Sequence, residues 1–232
     1  MGHRGAAGLA PENTIVSIAE ALAAKVDWIE FDVRRTQDGH IVLVHDRHTG
    51  RVATKKIVIR KAAMQELKAL QMKKGFSIPT LEEAMELIGK KAKINIEIKS
   101  PDCVPQVIEL IQKYVKEGYR HSHFLVSSFS PAVLRAAYRL DKKIPYGLLQ
   151  IWPLRFRWLS SVKLSAVGFY HISALTPFIV KLAKKRGLYT YAYTVNSFEE
   201  AKQLKRLGLD GIVTNFPDRF DELRKGTSIL TP

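Results

Sequence analysis

Three acidic residues lie inside apolar stretches of the chain, where a negative charge is costly unless something neutralises it. Glu30 and Asp32 stand two residues apart in one such stretch, and Glu97 lies in another. Carboxylates that converge repel one another strongly, and a hard divalent cation between them removes that repulsion. Oxygen ligands without cysteine favour one Mg²⁺ or Ca²⁺ ion over a structural zinc. The alternative is that these acids pair with a cation of the chain itself, namely Arg4, Arg34 or Lys99.

Two histidines and two cations at the ends of predicted strands complete this set. His3 and His45 are candidates for general acid–base catalysis, because an imidazole titrates near neutral pH. Arg4 and Lys99 provide the fixed positive charge that suits the non-bridging oxygens of a phosphate. A metal ion, two histidines and two cations together indicate chemistry on a phosphoryl group.

The elements that must position these residues alternate along the chain. Short apolar or β-branched runs predict strands at residues 27–33, 40–44, 93–98, 123–127, 144–149, 165–169, 188–194 and 210–214. Helical patterns lie between most of them, at residues 14–24, 81–88, 104–116, 131–140, 177–186 and 197–207, several of them opened by Ser, Thr or Pro. Strands that alternate with helices predict a parallel sheet of the α/β class.

One pair of predicted strands breaks this alternation. The few residues between Val33 and His40 are too short for a parallel crossover, so the second run must turn back as a β-hairpin. Asp38-Gly39 is typical of a two-residue hairpin turn, and a turn centred there places His45 opposite Asp32. Directly paired residues share a face of the sheet, which predicts that His45, Asp32 and Glu30 converge.

If the hairpin is an excursion after the second strand, the remaining runs, with residues 1–4 as the first, number eight. Eight parallel strands with helices predict a TIM barrel, and the length of 232 residues predicts a single domain over residues 1–232. The competing architecture is an open doubly wound sheet, but no glycine-rich phosphate loop follows the first strand. In a barrel, the functional side chains lie where strands end.

Charge is the composition value that stands out. Lys and Arg number 37 and Asp and Glu number 22, a formal net charge of +15. Such a surface attracts a nucleic acid, an acidic membrane or a phosphate-bearing molecule, or is a solvated lysine-rich surface. The basic residues are spread along the chain and form no nucleic-acid-binding motif, so we expect no nucleic-acid partner.

Cysteine and the apolar runs bear on the compartment. The single Cys103 can form no internal disulfide, which fits a reducing cytoplasm. No apolar run reaches the ~18 residues of a membrane span, and the first residues lack a signal-peptide core. We therefore expect a cytoplasmic location.

The chain resembles the glycerophosphodiester phosphodiesterases along nearly its whole length. The matching segments, in order, are Gly2-His3-Arg4-Gly5, Pro11-Glu12-Asn13-Thr14, Ile29-Glu30-Phe31-Asp32-Val33, Thr36-Gln37-Asp38-Gly39, Val44-His45-Asp46, Ile78-Pro79-Thr80-Leu81-Glu82-Glu83, Asn95-Ile96-Glu97-Ile98-Lys99, Ser127-Ser128-Phe129, Thr194-Val195-Asn196 and Gly208-Leu209-Asp210-Gly211-Ile212-Val213-Thr214-Asn215. Each segment alone is a weak signal, whereas their order is specific.

The resemblance implies a TIM barrel that hydrolyses glycerophosphodiesters to sn-glycerol 3-phosphate and an alcohol. It implies a divalent metal on the three acids and His3 and His45 as the catalytic pair. Glu12 and Asn13 then resemble residues that orient a histidine or the metal ligands. They are also typical of a helix N-terminus.

Two positions depart from the family pattern. Tyr193 stands where a Trp is usual in the family. The resemblance implies that this position binds substrate, and the change from Trp leaves the choice of substrate open. Asn215 replaces a common Asp in the last strand, and we expect neither change to touch the metal ligands or the proposed acid and base. The stretch between Asp46 and Leu81 is too short for the large domain inserted in some relatives.

Residues 151–159 carry two of the three tryptophans, interleaved with arginine. This mixture is favoured at a membrane interface or around an acyl chain, and it would suit a lysophospholipase D-type activity on lysophospholipids with peripheral lipid contact. The alternative is a short helix whose aromatic residues pack on the barrel. A third reading of the whole chain is a barrel without catalysis that binds phosphate or nucleic acid.

Overall fold

Strands and helices alternate through the computed structural model, which describes residues 1–151, 161–174 and 176–220. The strands are β1 (Trp28–Arg35), β2 (Ile41–Leu43), β3 (Lys93–Ile98), β4 (Phe124–Ser128), β5 (Tyr146–Gln150), β6 (Ala166–Tyr170), β7 (Tyr189–Tyr193) and β8 (Gly211–Ile212). The helices are α1 (Ile15–Ala23), α2 (Met64–Lys68), α3 (Leu81–Ile88), α4 (Val104–Lys116), α5 (Pro131–Leu140), α6 (His171–Ala174), α7 (Pro177–Lys185) and α8 (Phe198–Arg206). Every predicted strand and helix is present, whereas the short helices α2 and α6 were not predicted.

The sheet closes on itself through the first residues of the chain. Strands β1 and β3 to β8 are parallel and pair in sequence order. Gly2 forms parallel bridges to Ile29 in β1 and to Thr214 beyond β8. The segment around Gly2 is therefore the first strand position, and together with β1 and β3 to β8 it completes an eight-position ring in the described chain. This confirms the TIM barrel.

Strand β2 runs antiparallel to β1, but the predicted register is wrong. Val33 aligns with Leu43 and Arg35 with Ile41, so Asp32 lies beside Val44, whose backbone N–H donates to the Asp32 carbonyl at 3.0 Å. His45 is therefore not opposite Asp32. The loop has three residues, 37–39, and not the two that were predicted. The Thr36 N–H closes it by donating to the His40 carbonyl at 2.9 Å.

Serine and threonine begin several helices, as their positions in the sequence predict. The Thr14 side chain accepts from the backbone N–H of Ser17 at the start of α1. Thr80 and Glu83 form a reciprocal capping box at α3, and Ser130 caps α5. These N-caps fix where each helix begins, which leaves the residues of the preceding loop free to form a site.

The barrel interior is packed around one tyrosine. Tyr191 contacts an apolar cluster inside the barrel, with members Leu125, Leu149, Ala166 and Val213. A Cβ at Gly168 would lie 2.7 Å from the Tyr191 ring and from Leu149, so only glycine fits there. Apolar helix faces cover the outside of the sheet, and none of the described helices is long and apolar enough to cross a membrane.

Candidate active site

The turn after the first strand position brings a backbone donor to the carboxylate cluster. Arg4 has φ of 50° and Gly5 has φ of +83°, and a Cβ at Gly5 would approach Ser17 within 2.6 Å. Glycine is therefore required at position 5. This turn aims the Arg4 N–H at Glu30, where it donates to Oε2 at 2.9 Å.

Strands β1 and β3 bring three buried carboxylates together at the barrel mouth. Asp32 aligns with Glu97 across the two strands, and Glu30 lies two residues earlier on the same face of β1. One ligand oxygen from each of the three lies within 4.8 Å of the other two. The three predicted acids therefore form one cluster.

Two cations contact this cluster, as one of the sequence alternatives required. Lys99 Nζ lies 2.8 Å from Asp32 Oδ1 and also contacts Glu97, while Arg4 Nε lies 3.1 Å from Asp32 Oδ2. Arg34 does not pair with these acids, and instead its guanidinium donates two hydrogen bonds, of 2.9 and 2.6 Å, to the carbonyl of His45. Pairing with the chain's own cations is thus centred on Asp32.

The pKa values of the three acids move in different directions, upward for Glu30 and Glu97 and downward for Asp32. Burial raises the pKa of Glu30 well above its ordinary value, and the neighbouring charges of Asp32 and Glu97 add to the rise. Burial and Asp32 raise the pKa of Glu97 to about 7, although Lys99 opposes this. Burial also acts against ionised Asp32, but Lys99 and Arg4 outweigh it and lower the Asp32 pKa.

The charges of Arg4 and Lys99 do not offset all three carboxylates of the cluster. Three buried carboxylates face two cations, and burial together with repulsion between the acids raises the pKa values of Glu30 and Glu97. Buried oxygen donors within 4.8 Å of one another suit a hard divalent cation. The residues present fit a metal ion held by Glu30, Asp32 and Glu97.

His3 is held by a residue that we expected to be remote from the chemistry. Its Nδ1 lies 2.6 Å from Asn215 Oδ1, while Nε2 lies 4.0 Å from Glu30 Oε2. We expected that Asn215, which replaces a common Asp of the family, would not touch His3 or His45. That expectation is wrong for His3. Asn196 in turn accepts the backbone N–H of Asn215 at 2.9 Å. Burial, with the charge of Arg4, lowers the His3 pKa to about 4, so His3 is neutral near pH 7.

His45 reaches the mouth from just beyond β2 and faces a carboxylate instead of an amide. Its Nδ1 lies 2.7 Å from Asp46 Oδ1, and Arg51 Nε lies 2.8 Å from Asp46 Oδ2. Burial lowers the His45 pKa, and the charge of Asp32 opposes that shift. Asp46 and Arg51 were not predicted as site residues; Asp46 adjoins His45 in sequence, whereas no local pattern marks Arg51.

Glu12 and Asn13 both hold site residues. Asn13 donates from Nδ2 to Asp32 Oδ2 at 2.9 Å, and its Oδ1 accepts the Asp32 backbone N–H at 3.2 Å. Glu12 accepts from Arg4 at 2.8 Å and from Arg51 at 2.6 and 2.7 Å. Neither residue lies in the first turn of α1, because Thr14 is the N-cap. Their contacts are those of residues that orient a ligand and a cation.

The opposite side of the mouth is aromatic. Tyr193 donates its hydroxyl to the Gln150 carbonyl at 2.8 Å, and its ring meets Phe129 edge to face with centroids 5.8 Å apart. Lys99 Nζ lies 5.8 Å from the centre of the Phe129 ring. Phe129 belongs to the matching segment Ser127-Ser128-Phe129 but was not predicted as a site residue. The predicted lipid-contact segment lies outside the described residues, apart from Ile151.

Fold and site together define a class of protein: a TIM barrel with a metal-competent carboxylate cluster and two histidines at the carboxyl ends of its strands. Comparison with known families agrees with this. The sequence profile of the Glycerophosphoryl diester phosphodiesterase family matches residues 3–219. The chain belongs to this family, and it is an enzyme of the phosphoric diester hydrolase type.

Individual relatives extend over nearly the whole chain. It is 31% identical to a glycerophosphodiester phosphodiesterase of Bacillus subtilis, covering 97% of this chain and 86% of that protein. It is 32% identical to one of Caldanaerobacter subterraneus subsp. tengcongensis, covering 97% and 98%. A phosphodiesterase of Oleispira antarctica, solved in complex with the product sn-glycerol-3-phosphate, superposes with a TM-score of 0.88 at 26% identity, covering 97% and 96%.

Proposed function

We propose that this enzyme hydrolyses glycerophosphodiesters to sn-glycerol 3-phosphate and an alcohol. The observation that carries the proposal is the placement of His3 and His45 beside one carboxylate cluster that fits a divalent cation. The product bound in the Oleispira relative supports this substrate class. We further propose that residues 1–232 form a single catalytic domain in the cytoplasm, with a small-molecule diester and not a nucleic acid as partner.

Glu30, Asp32 and Glu97 would hold one Mg²⁺ or Ca²⁺ ion. When bound, this ion supplies positive charge for the non-bridging oxygens of the phosphate. Arg4 and Lys99 add fixed charge beside the same oxygens, which stabilises the charge that develops during attack on phosphorus. Asn13 keeps Asp32 oriented, since its amide contacts both the carboxylate and the backbone of that residue.

The hydrogen bonds of the two histidines support different proton-transfer roles. His3 is neutral and its Nδ1 faces an amide oxygen, so Nε2 is left to accept a proton from the attacking oxygen, either water or the glycerol 2-hydroxyl. Attack by the 2-hydroxyl gives a cyclic glycerophosphate, which water must then open to glycerol 3-phosphate. The Asp46 carboxylate orients the His45 ring and opposes the fall in its pKa that burial causes. We assign His45 the role of donating a proton to the alcohol oxygen as the phosphorus–oxygen bond to that alcohol breaks.

The test is release of glycerol 3-phosphate from glycerophosphocholine with and without EDTA. We expect chelation to abolish turnover, and His3→Ala and His45→Ala each to lower kcat by ~10²- to 10⁴-fold. His40→Ala is the matched control, because His40 lies at the hairpin loop and its side chain is 54% exposed. Turnover that survives both chelation and His45→Ala would contradict the proposal.

A second candidate is a lysophospholipase D-type activity at a membrane surface. One observation favours it: Ile151, directly after β5, is 61% exposed at the catalytic end of the barrel. Comparing hydrolysis of lysophosphatidylcholine with that of glycerophosphocholine tests it. A higher kcat/KM on the acylated substrate would favour this candidate, and turnover of glycerophosphocholine alone would exclude it.

A further inference from the structure

The most exposed large apolar side chains in the described part of the chain lie at the catalytic end of the barrel. Phe178 is 71% exposed, and Ile151 and Ile172 are each 61% exposed. Ile151 follows β5, Ile172 lies in α6 directly after β6, and Phe178 is in the first turn of α7. Large apolar side chains exposed on neighbouring loops indicate an interaction surface.

These side chains continue outward from the aromatic side of the mouth. Ser173 of α6 donates its hydroxyl to the Ile151 carbonyl at 2.6 Å, which joins the loops after β5 and β6. Tyr170, at the end of β6, aligns with Tyr193 on β7. Tyr193 in turn contacts Phe129. We call the surface formed by the following residues the apolar rim: Phe129, Ile151, Tyr170, Ile172 and Phe178.

A basic segment lies on the other side of the same mouth. Residues 44–80, between β2 and α3, contain nine Lys or Arg and two Asp or Glu, a net charge of +7 out of +15 for the whole chain. Lys55, Lys56, Lys73 and Lys74 are all exposed. We call residues 44–80 the basic insertion. Its positive charge exceeds what its own acids can neutralise.

The basic insertion is tied to the catalytic mouth by its own contacts. Arg51 pairs with Glu12, which holds Arg4, and with Asp46, which holds His45. Lys73 Nζ donates to the carbonyl of residue 50 at 2.8 Å, which keeps this lysine next to Arg51. The insertion therefore presents its lysines at the same end of the barrel as the apolar rim.

We propose that the catalytic end docks on an anionic phospholipid bilayer. The apolar rim enters the boundary between headgroups and acyl chains, and the basic insertion lies against the anionic headgroups. A nucleic acid would use the lysines but not exposed isoleucine and phenylalanine side chains. A second copy would cover the rim but bring two basic insertions together. Docking extends the proposed function without depending on it, because it requires no hydrolysis.

The experiment measures binding of the full chain to vesicles of phosphatidylcholine, alone or mixed with phosphatidylglycerol, by sedimentation. We expect binding to the mixed vesicles that weakens as salt is added, and little binding to phosphatidylcholine alone. Lys55→Ala with Lys74→Ala should lower the affinity at least ~10-fold. The charge-matched control is Lys142→Ala with Lys143→Ala, in the loop after α5 at the opposite end of the barrel.

The apolar rim has its own variant and control. Ile172→Ser with Phe178→Ser should lower vesicle affinity ~10-fold or more and leave hydrolysis of glycerophosphocholine unchanged, because neither side chain belongs to the site. Leu140→Ser, at the end of α5 and 52% exposed, should leave vesicle affinity unchanged.

Four results would overturn docking whether or not the chain hydrolyses diesters. The first is equal loss of vesicle binding in the variants and their controls. The second is an affinity for a single-stranded oligonucleotide that exceeds the affinity for vesicles and is the same in the wild type and in the rim variant. The third is a rim-dependent dimer in analytical ultracentrifugation without vesicle binding. Absence of binding to anionic vesicles in the wild type would have the same meaning.

Discussion

The two halves of the barrel mouth are built on the same alternation of strand and helix but differ in chemistry. The first strand position, β1 and β3 contribute carboxylates, a histidine and cations, all buried or half-buried. Strands β4 to β7 contribute Phe129, Ile151, Tyr170 and Tyr193 at the corresponding ends. In the proposed mechanism the charged half carries the reaction, and the aromatic half lies beside the groups attached to the phosphate. A repeated scaffold thus constrains where side chains point, whereas their chemistry differs from one strand end to the next.

The largest effect should follow from removing one carboxylate of the charged half. Glu97→Gln should lower kcat/KM by ~10³-fold or more, because the cluster loses a charged metal ligand. In the wild type, Mg²⁺ or Ca²⁺ should raise Tm, since three clustered carboxylates repel one another without it, and Glu97→Gln should reduce that rise.

Differential scanning fluorimetry across a metal titration measures this response. Glu82→Gln is the matched control, because Glu82 is a half-exposed helix residue paired with Lys113. An unchanged wild-type Tm throughout the titration would count against the metal site.

The next effect tests the contact between the last strand and His3. Asn215→Leu removes the acceptor at Nδ1 and should lower kcat by ~10- to 100-fold, because the ring loses the partner that sets its orientation and tautomer. Asn215→Asp keeps an acceptor and should retain most of the activity. Steady-state kinetics on glycerophosphocholine measures both variants, and equal losses would show that the acceptor is not what matters.

A smaller effect concerns the ion-pair network beside the mouth. Burial raises the pKa of Asp46, but hydrogen bonds from Arg51 and His45 outweigh this and lower it to about 2. Because the folded pKa lies below the ordinary value of 3.8, this stabilisation is fully present above pH 3.8 and is lost as pH falls through about 2. Arg51→Met should weaken that pH dependence and lower kcat roughly tenfold, through Glu12 and Asp46.

Urea unfolding at several pH values between neutrality and about pH 2 measures the stability part of this prediction. Arg60→Met is the control, because Arg60 belongs to the same insertion and makes a longer ion pair, 3.4 Å, with Asp102. The same pH dependence in the Arg51 variant and the wild type would refute the role of this network.

The smallest effect should come from the aromatic half. Tyr193→Phe removes the hydrogen bond to the Gln150 carbonyl and should lower the free energy of unfolding by about 1 kcal/mol. Tyr193→Trp enlarges the ring beside Phe129 and should change KM more than kcat. Both variants should leave the metal-induced rise in Tm intact. A loss of kcat as large as that of Asn215→Leu would remove the distinction between the two halves.

Local sequence patterns predicted most of the fold. Thr14 and Ser197 open two of the predicted helices and are N-caps in the structure, because a side-chain oxygen before a helix can accept one of its free N–H groups. Thr80 and Ser130, directly before two other predicted helices, are N-caps as well. The hairpin register was wrong because Asp38-Gly39 alone does not fix loop length. In the structure the Asp38 carboxylate accepts from Thr36 and from the backbone N–H at the start of α2, a contact that no local pattern reveals.

The sequence by itself determined the alternation of strands and helices, the carboxylates of β1 and β3, and the histidines that flank them, because each depends on residue types and spacings a few positions apart. Only the tertiary structure decided that Asn215 holds His3, that Arg51 links Glu12 to Asp46, and that the apolar rim and the basic insertion share one end of the barrel. Asn215 lies 212 residues from His3, and Arg51 lies 39 residues from Glu12. Closure of the ring brings them together, and that closure is a property of the whole packed barrel.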